Sequence, residues 1–309
     1  MKISRIGGII AAASKKVAQP LMQVGAISVI RRIVITYRQV GIFPIVVITG
    51  VEEEEVVRQL KSFGVIFLQN TNSEQPELLE SVRIGMEFLK GRCERVAFTP
   101  VNVPMFTPST LSRLIKKEGD VVAPSYYGKG GHPVLLSDRI IPELMTYNGT
   151  DGLRGAIESC SAARTWVDVE DRGVITNVYN KDELREQLKY HNHSILHPVL
   201  HMELEMETSF FSERLKTLLF LLDKTQNMRV SCEYSGIAHS RAWDMINQLE
   251  QNLGYQVVLR QRGGKDGGCT KLTEKGLYFL RAYQNFEERI YEITQEEFEN
   301  RLISTKIID

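Results

Sequence analysis

The chain carries no excess charge: 38 Lys and Arg balance 38 Asp and Glu over 309 residues, so the formal net charge is zero. That excludes retention of nucleic acid by bulk positive charge, though not by a local basic patch. Long apolar runs are missing as well. The longest, Ile42–Gly50, contains a proline and ends in glycine, far short of the roughly 20 apolar residues a membrane-spanning helix needs. Cysteine is scarce, and Cys93, Cys160, Cys232 and Cys269 form no C-x-x-C pair. Neither a disulfide framework nor a cysteine zinc site is expected, and a reducing cytoplasm fits best. What is present, 43% hydrophobic and 25% charged residues, is the profile of a globular protein and excludes a disordered one. The apolar stretch within Met1–Ser14 is brief and runs straight into a periodic pattern, so it reads as a buried first strand instead of a signal peptide.

Strand-like segments at Arg5–Ala12, Ile45–Thr49, Val65–Gln69, Arg95–Thr99 and Val121–Ala123 alternate with helical patterns. The helices are expected at Ala26–Val40, Glu52–Phe63, Glu77–Leu89 and Pro108–Lys117. Connections of that length hold helices, not hairpins, and predict a mainly parallel sheet covered on both faces. Ligands of such sheets bind beyond the carboxyl ends of the strands, which directs attention to the residues after Ala12, Gly50 and Thr99. The Gly7-Gly8 pair is discounted as a phosphate loop because it is read as preceding the strand instead of following it. Glu52–Glu55 reads as an acidic first helical turn, complementing the macrodipole.

The pattern changes after about Leu184. His191–His201 carries four of the six histidines and reads as a linker or edge strand. Pro198 argues against the helix that would place His197 and His201 on one face, so no metal site is expected there. Helices follow at Glu213–Lys224, Val230–Ser235 and Ser240–Asn252, then a strand at Tyr255–Leu259, a glycine-rich basic loop at Arg260–Lys271, and a helix from Thr273 to about Glu299. That is the order of a winged helix-turn-helix, and it divides the chain into residues 1–205 and 206–309.

In the second part, Gly236 supplies the freedom a tight turn requires, and the next helix opens Ala238-His239-Ser240-Arg241-Ala242-Trp243. The N-terminal residues of such a helix face base edges in the major groove. His239, Ser240 and Arg241 are the expected base readers, with Arg260, Arg262, Lys265 and Lys271 on phosphates. Trp243, Ile246 and Leu249 are spaced to face the core. The runs Ala242-Trp243-Asp244, Leu249-Glu250, Leu253-Gly254, Arg262-Gly263-Gly264, Gly267-Gly268 and Leu272-Thr273-Glu274-Lys275-Gly276 occur in an order that resembles the DNA-binding domain of ModE-type molybdate regulators, over about residues 196–285. The chain departs from that pattern at Gln226-Asn227-Met228-Arg229 and at Ala238-His239, which bears on the operator more than on the fold. The resemblance implies double-stranded DNA as partner and a homodimer reading two half-sites, with the long last helix as a source of the contact.

The first part contains Val101-Asn102-Val103-Pro104, Gly131-His132-Pro133-Val134 and Gly173-Val174-Ile175-Thr176-Asn177-Val178-Tyr179-Asn180, behind a loop Ala12-Ala13-Ser14-Lys15-Lys16. Over about residues 5–190 these resemble the MobA/MocA-like molybdenum-cofactor nucleotidyltransferases. The resemblance implies a nucleotide-diphospho-sugar transferase-like three-layer α/β sandwich with a mainly parallel sheet. It also implies attack on the α-phosphate of CTP or GTP with loss of pyrophosphate. That chemistry needs a glycine loop, cations over phosphates and carboxylates on Mg²⁺. Here Ala12-Ala13 stands where the family has Ala-Gly, and Lys15 or Lys16 takes the place of an arginine. Asn102 stands in the family's Asp-x-Pro, and Asn177 and Tyr179 stand in its Asp-x-Asp. Asp168, Glu170, Asp171 and Asp182 lie near the second motif as possible substitutes. The expectation is a transcriptional regulator whose first domain is a sensor or scaffold for a nucleotide or molybdopterin-related ligand. No catalytic residue and no metal are expected, Mg²⁺ entering only if the transferase site is active, in which case the chain is a cytidylyl- or guanylyltransferase with a regulatory domain.

Charge is distributed in keeping with this. Residues 229–281 carry 8 basic and 5 acidic side chains, whereas residues 282–309 carry 3 and 7. Neutrality overall covers a modest basic face and an acidic tail.

Overall fold

The computed structural model describes residues 6–13, 20–50, 53–70, 78–261 and 269–304. The chain divides into two compact units, Met1–Leu60 with Phe67–Leu196, and Lys61–Ile66 with His197–Asp309. No described helix is long and apolar enough to cross a membrane.

The first unit begins with β1 (Ile6–Ala11), then a small hairpin, β2 (Gln23–Val24) and β3 (Ile27–Ser28), that leads into α1 (Val29–Gln39). Alternation continues through β4 (Ile45–Thr49), α2 (Glu53–Leu60), β5 (Ile66–Gln69), α3 (Leu78–Leu89), β6 (Arg95–Pro100) and α4 (Pro108–Lys116). Next come β7 (Val121–Tyr126), β8 (Lys129–Gly130), β9 (Val134–Ser137), α5 (Ile141–Thr146), α6 (Gly152–Ser159), β10 (Arg164–Asp168) and α7 (Lys181–Ser194). The main sheet runs β10-β7-β9-β6-β1-β4-β5. β1 is parallel to β4 and β6, and β7 to β10, while β9 is antiparallel to both β6 and β7. The sheet is thus mainly parallel, as its long helical connections require.

Adjacent residues of a strand point to opposite faces, and the Gly7-Gly8 pair uses this. A Cβ on Gly8 would lie 2.6 Å from the Tyr37 ring of α1, and one on Gly7 would lie 2.9 Å from Leu89 of α3. The pair therefore lies inside β1 and lets a helix close on each face. Gly85 of α3 completes the contact, since a Cβ there would come within 2.5 Å of Ile9. Ile9, Ile10, Val46, Val47, Ile66 and Phe98 fill the core between the layers, each fully buried.

The segment expected to be a linker begins as helix. α7 runs to Ser194, and His191 is 0% exposed. Its Nδ1 lies 3.1 Å from a guanidinium nitrogen of Arg32, and its Nε2 lies 3.2 Å from the Phe106 carbonyl. Pro198 falls beyond the helix end and so does not interrupt it.

The second unit has a short hairpin, β11 (Leu204–Glu205) and β12 (Ser209–Phe211), then α8 (Glu213–Thr225), α9 (Met228–Ser235) and α10 (His239–Leu253). An antiparallel pair follows, β13 (Val258–Gln261) and β14 (Cys269–Leu272), and then α11 (Glu274–Phe298). Gly236 ends α9 at φ +62°, and the Ile237 N–H bonds back to the Cys232 carbonyl. Ala242, Ile246 and Leu249 of α10 are fully buried against Leu218, Leu219 and Leu222 of α8 in one apolar cluster. Trp243, expected in that core, is only half-buried. Ala242, one residue earlier, occupies the inward position of the 3.6-residue period, leaving the indole at the edge of the buried stripe.

Candidate functional site

The carboxyl ends of β1, β4 and β6 converge. The Ala12 N–H continues the ladder onto the Ile48 carbonyl at 2.9 Å, and the Val101 N–H donates to the Ala11 carbonyl at 3.0 Å. Ala12 and Ala13 are both buried, and a Cβ on Gly50 would lie 2.6 Å from the Ala13 carbonyl oxygen. The loop after β1 thus leaves the sheet pressed against the end of β4. Ser14, Lys15 and Lys16, the remainder of the expected nucleotide loop, lie outside the described residues.

The two expected metal motifs meet at this edge. The Val178 N–H donates to the Asn102 carbonyl at 3.0 Å, which sets Asn102 beside the Asn177–Tyr179 segment. Asn102 Oδ1 is buried with no hydrogen-bond partner among the described residues. Asn177 Oδ1 accepts from the Tyr179 N–H at 3.1 Å, so it is already engaged in a local turn, and the Tyr179 side chain is 57% exposed. The donor set is therefore two neutral amides and a phenol.

Magnesium binds through hard, usually anionic oxygen, and the potential substitutes do not supply it. Asp171 is buried and fully used: Oδ2 accepts from the Thr107 N–H at 2.8 Å and the Thr110 hydroxyl at 2.7 Å, and Oδ1 from the Gly173 N–H at 2.9 Å. Asp168 and Glu170 are exposed at and just beyond the end of β10, and Asp182 is exposed in the first turn of α7. Among the described residues, no three His, Cys, Asp or Glu side chains gather as a metal-holding group. The residues present do not fit Mg²⁺.

The Gly-His-Pro-Val block buttresses the same segment. The His132 N–H donates to the Val174 carbonyl at 2.9 Å, and a Cβ on Gly131 would fall 2.4 Å from that oxygen. The His132 ring lies edge-on to Phe98, and its Nδ1 is buried without a partner among the described residues. Burial lowers its pKa to about 4, a bond to the Phe98 backbone opposing. His132 is thus a neutral packing histidine near neutral pH.

In the second unit, His239, Ser240 and Arg241 are all exposed in the first turn of α10. Arg260 of β13 stacks 4.4 Å from the centroid of the Trp243 ring and bonds to Asn247 at 2.6 Å, with Glu250 at 3.5 Å. Its guanidinium is thus held on α10. Lys271 is half-buried on β14, where it pairs with Leu259. Arg262 and Lys265 lie outside the described residues. Sequence reasoning missed Arg214 on α8. Its Nε is buried without a partner among the described residues, and burial followed by the charge of Arg241 lowers its pKa. The charge of Arg241 thus reaches Arg214 across two helices, which a residue in an ordinary amphipathic helix does not signal.

Comparison with known proteins bears on the first unit. The family model described as the MobA-like NTP transferase domain matches residues 11–165. Rv0371c from Mycobacterium tuberculosis H37Rv has a TM-score of 0.50 and 21% identity, over 61% of this chain and 100% of its own. A nucleotidyl transferase from Methanothermobacter thermautotrophicus has a TM-score of 0.53 at 16% identity, over 62% of this chain and 99% of that one. The 4-diphosphocytidyl-2C-methyl-D-erythritol synthase of Anaerococcus prevotii DSM 20548 has a TM-score of 0.50 at 14% identity, over 60% and 96% of the two chains. At these identities the likeness is one of fold. No curated protein matches the chain.

Proposed function

Because this chain belongs to the family of MobA-like NTP transferase domains, we propose that its first unit uses that family's fold for sensing instead of turnover. It would take a nucleotide or molybdopterin-related ligand at the strand ends, or serve as a scaffold. The second unit would be a ModE-like winged helix-turn-helix that binds double-stranded DNA as a homodimer. The whole would be a cytoplasmic transcriptional regulator linked to molybdenum-cofactor or molybdate metabolism.

One observation supports the reading: Asn102 lies beside the Asn177–Tyr179 segment, and by the resemblance these are positions where the transfer reaction takes anionic metal ligands. A neutral amide oxygen neither balances a divalent cation nor helps it neutralise a leaving pyrophosphate. Amides do donate and accept hydrogen bonds, which suits a neutral heterocycle. In the second unit, Arg241 is exposed in the first turn of α10, and its charge acts on Arg214 of α8. Such a pair favours an anion such as DNA phosphate.

The test is binding to DNA fragments from the chain's own upstream region, read by fluorescence anisotropy. Specific, salt-sensitive binding is expected, and Arg241→Ala should weaken it by about 1–3 kcal/mol and relax its sequence preference. Equal affinity of wild-type and variant for every fragment overturns the reading. The family match favours a second reading, an active cytidylyl- or guanylyltransferase. Pyrophosphate release from CTP or GTP in the presence of molybdopterin and a divalent metal would establish it, and silence across metals would end it.

A further inference from the structure

A second site of different character lies on the edge of the first unit's sheet. β10 is the last strand in the sheet order, and among the described residues it pairs only with β7. A groove of about 500 Å³ runs along it, lined by Arg113, Lys116, Lys117, Trp166, Val167 and Asp168.

The cations come from one stretch of α4 and its C-cap. Arg113, Lys116 and Lys117 follow the three- and four-residue spacing that puts side chains on one helix face, and all three are exposed. Arg113 donates one guanidinium N–H to the Asp168 backbone carbonyl at 3.0 Å. Lys116 and Lys117 make no ion pair among the described residues. Basic residues in a last turn complement the helix dipole, but that role does not call for an exposed indole opposite them.

The indole is held in place. Arg164 stacks on Trp166 at 5.0 Å from the ring centroid, and a Cβ on Gly130 would lie 2.7 Å from the ring's outer edge. Gly130 thus admits the ring edge against the β7–β8 hairpin, yet Trp166 remains 46% exposed. At the tip of that hairpin Tyr127 is 87% exposed, and Lys129 is exposed as well. The groove's own acid is Asp168; Asp120, close by in sequence, is paired with Arg139 at 3.6 Å. A fixed aromatic platform flanked by unpaired cations is the arrangement that stacks a base and holds its phosphate.

We infer that this groove binds a phosphorylated nucleobase, presented either by a free nucleotide or by single-stranded nucleic acid, with Trp166 as the stacking surface and Lys116 and Lys117 on the phosphates. The site is independent of the strand-end site and of the second unit's binding to duplex DNA.

The experiment titrates the full chain with fluorescein-labelled oligothymidylate at low salt and, in a separate arm, with unlabelled thymidine monophosphate as competitor. Binding is expected to weaken steeply with salt. Trp166→Ala should weaken it about tenfold, and the surface pair Lys116→Glu/Lys117→Glu at least as much, with a shallower salt dependence. Competition at matched nucleotide concentration assigns a single nucleotide; oligomer affinity far above that of the monomer assigns a strand. In a Trp243→Phe background Trp166 is the sole tryptophan of the two in the chain, so stacking should also quench its emission. No binding by either probe overturns the inference. So does binding that responds to Arg241→Ala but not to the groove variants, because the second unit would then be holding the strand. Loss of duplex binding in Arg241→Ala leaves the groove standing, so the two readings fail separately.

Discussion

At the scale of single residues, the first unit contains buried polar groups that serve architecture. Arg32 is 1% exposed and has neutral partners: the Val24 carbonyl, the Asn192 amide oxygen at 2.8 Å and His191. Burial and then the Arg32 charge lower the His191 pKa to about 3, and burial lowers that of His132 to about 4. A histidine in the unfolded chain titrates near 6.5. Above that value both imidazoles are neutral in both states, so pH does not act through them. Below it the unfolded chain takes up protons that the folded one refuses, and stability falls until the folded values are reached. Each histidine should therefore cost about 1.4 kcal/mol on going from neutral pH to about pH 5.5. Urea unfolding at the two pH values measures this. The His132→Gln/His191→Gln variant should lose most of the pH dependence, and an unchanged slope would refute the assignment.

At the scale of elements, Asp171 joins two segments far apart in sequence. It caps the start of α4 through Thr107 and Thr110, and it holds the Gly173 turn, where a Cβ would come within 1.8 Å of the Met105 carbonyl oxygen. Asp171→Ala leaves three donors without an acceptor and should cost about 2–4 kcal/mol by chemical denaturation. A loss below about 0.5 kcal/mol would show that the bonds are dispensable. This tie was not legible beforehand, because Asp171 reads as one of several acids near a motif. The helices α1 to α4 and the strands β1, β4, β5 and β6 were legible because each carries its own period or a continuous apolar run. β9 was not: it is four residues long, follows His132-Pro133, and enters the sheet antiparallel between β6 and β7. β10 reads Arg-Thr-Trp-Val-Asp, whose mixed polarity belongs to a sheet edge and imitates a loop. The juxtaposition of Asn102 with Asn177 was legible as two motifs, since each is local. The Arg32–His191 contact was not, as it spans 159 residues.

At the scale of the molecule, the proposed homodimer would take its contact from α11. Its fully buried residues, Gly276, Leu280 and Tyr283, all fall in its first ten positions, although the helix has 25 residues and is therefore about 37 Å long. The later part exposes Phe286 at 51% and Ile293 at 40%, and Tyr278 before them is 77% exposed. Spacings of eight and seven residues keep these three near one stripe of the helix, as in a self-associating seam. Under the proposed reading, a winged helix on an inverted repeat needs two copies whose recognition helices are about one DNA turn apart, and α11 would set that distance. Phe286→Glu places a charge in the middle of the stripe, beyond the buried positions Gly276, Leu280 and Tyr283. The variant should fold normally by circular dichroism, sediment as a monomer where the wild-type is a dimer, and bind operator DNA at least about tenfold more weakly, since one half-site must then suffice. A wild-type chain that is monomeric at micromolar concentration, or a variant that remains dimeric, would remove α11 as the dimer contact. If dimerisation were lost but operator affinity unchanged, the symmetric two-site model of recognition would fail, while the contact itself would stand.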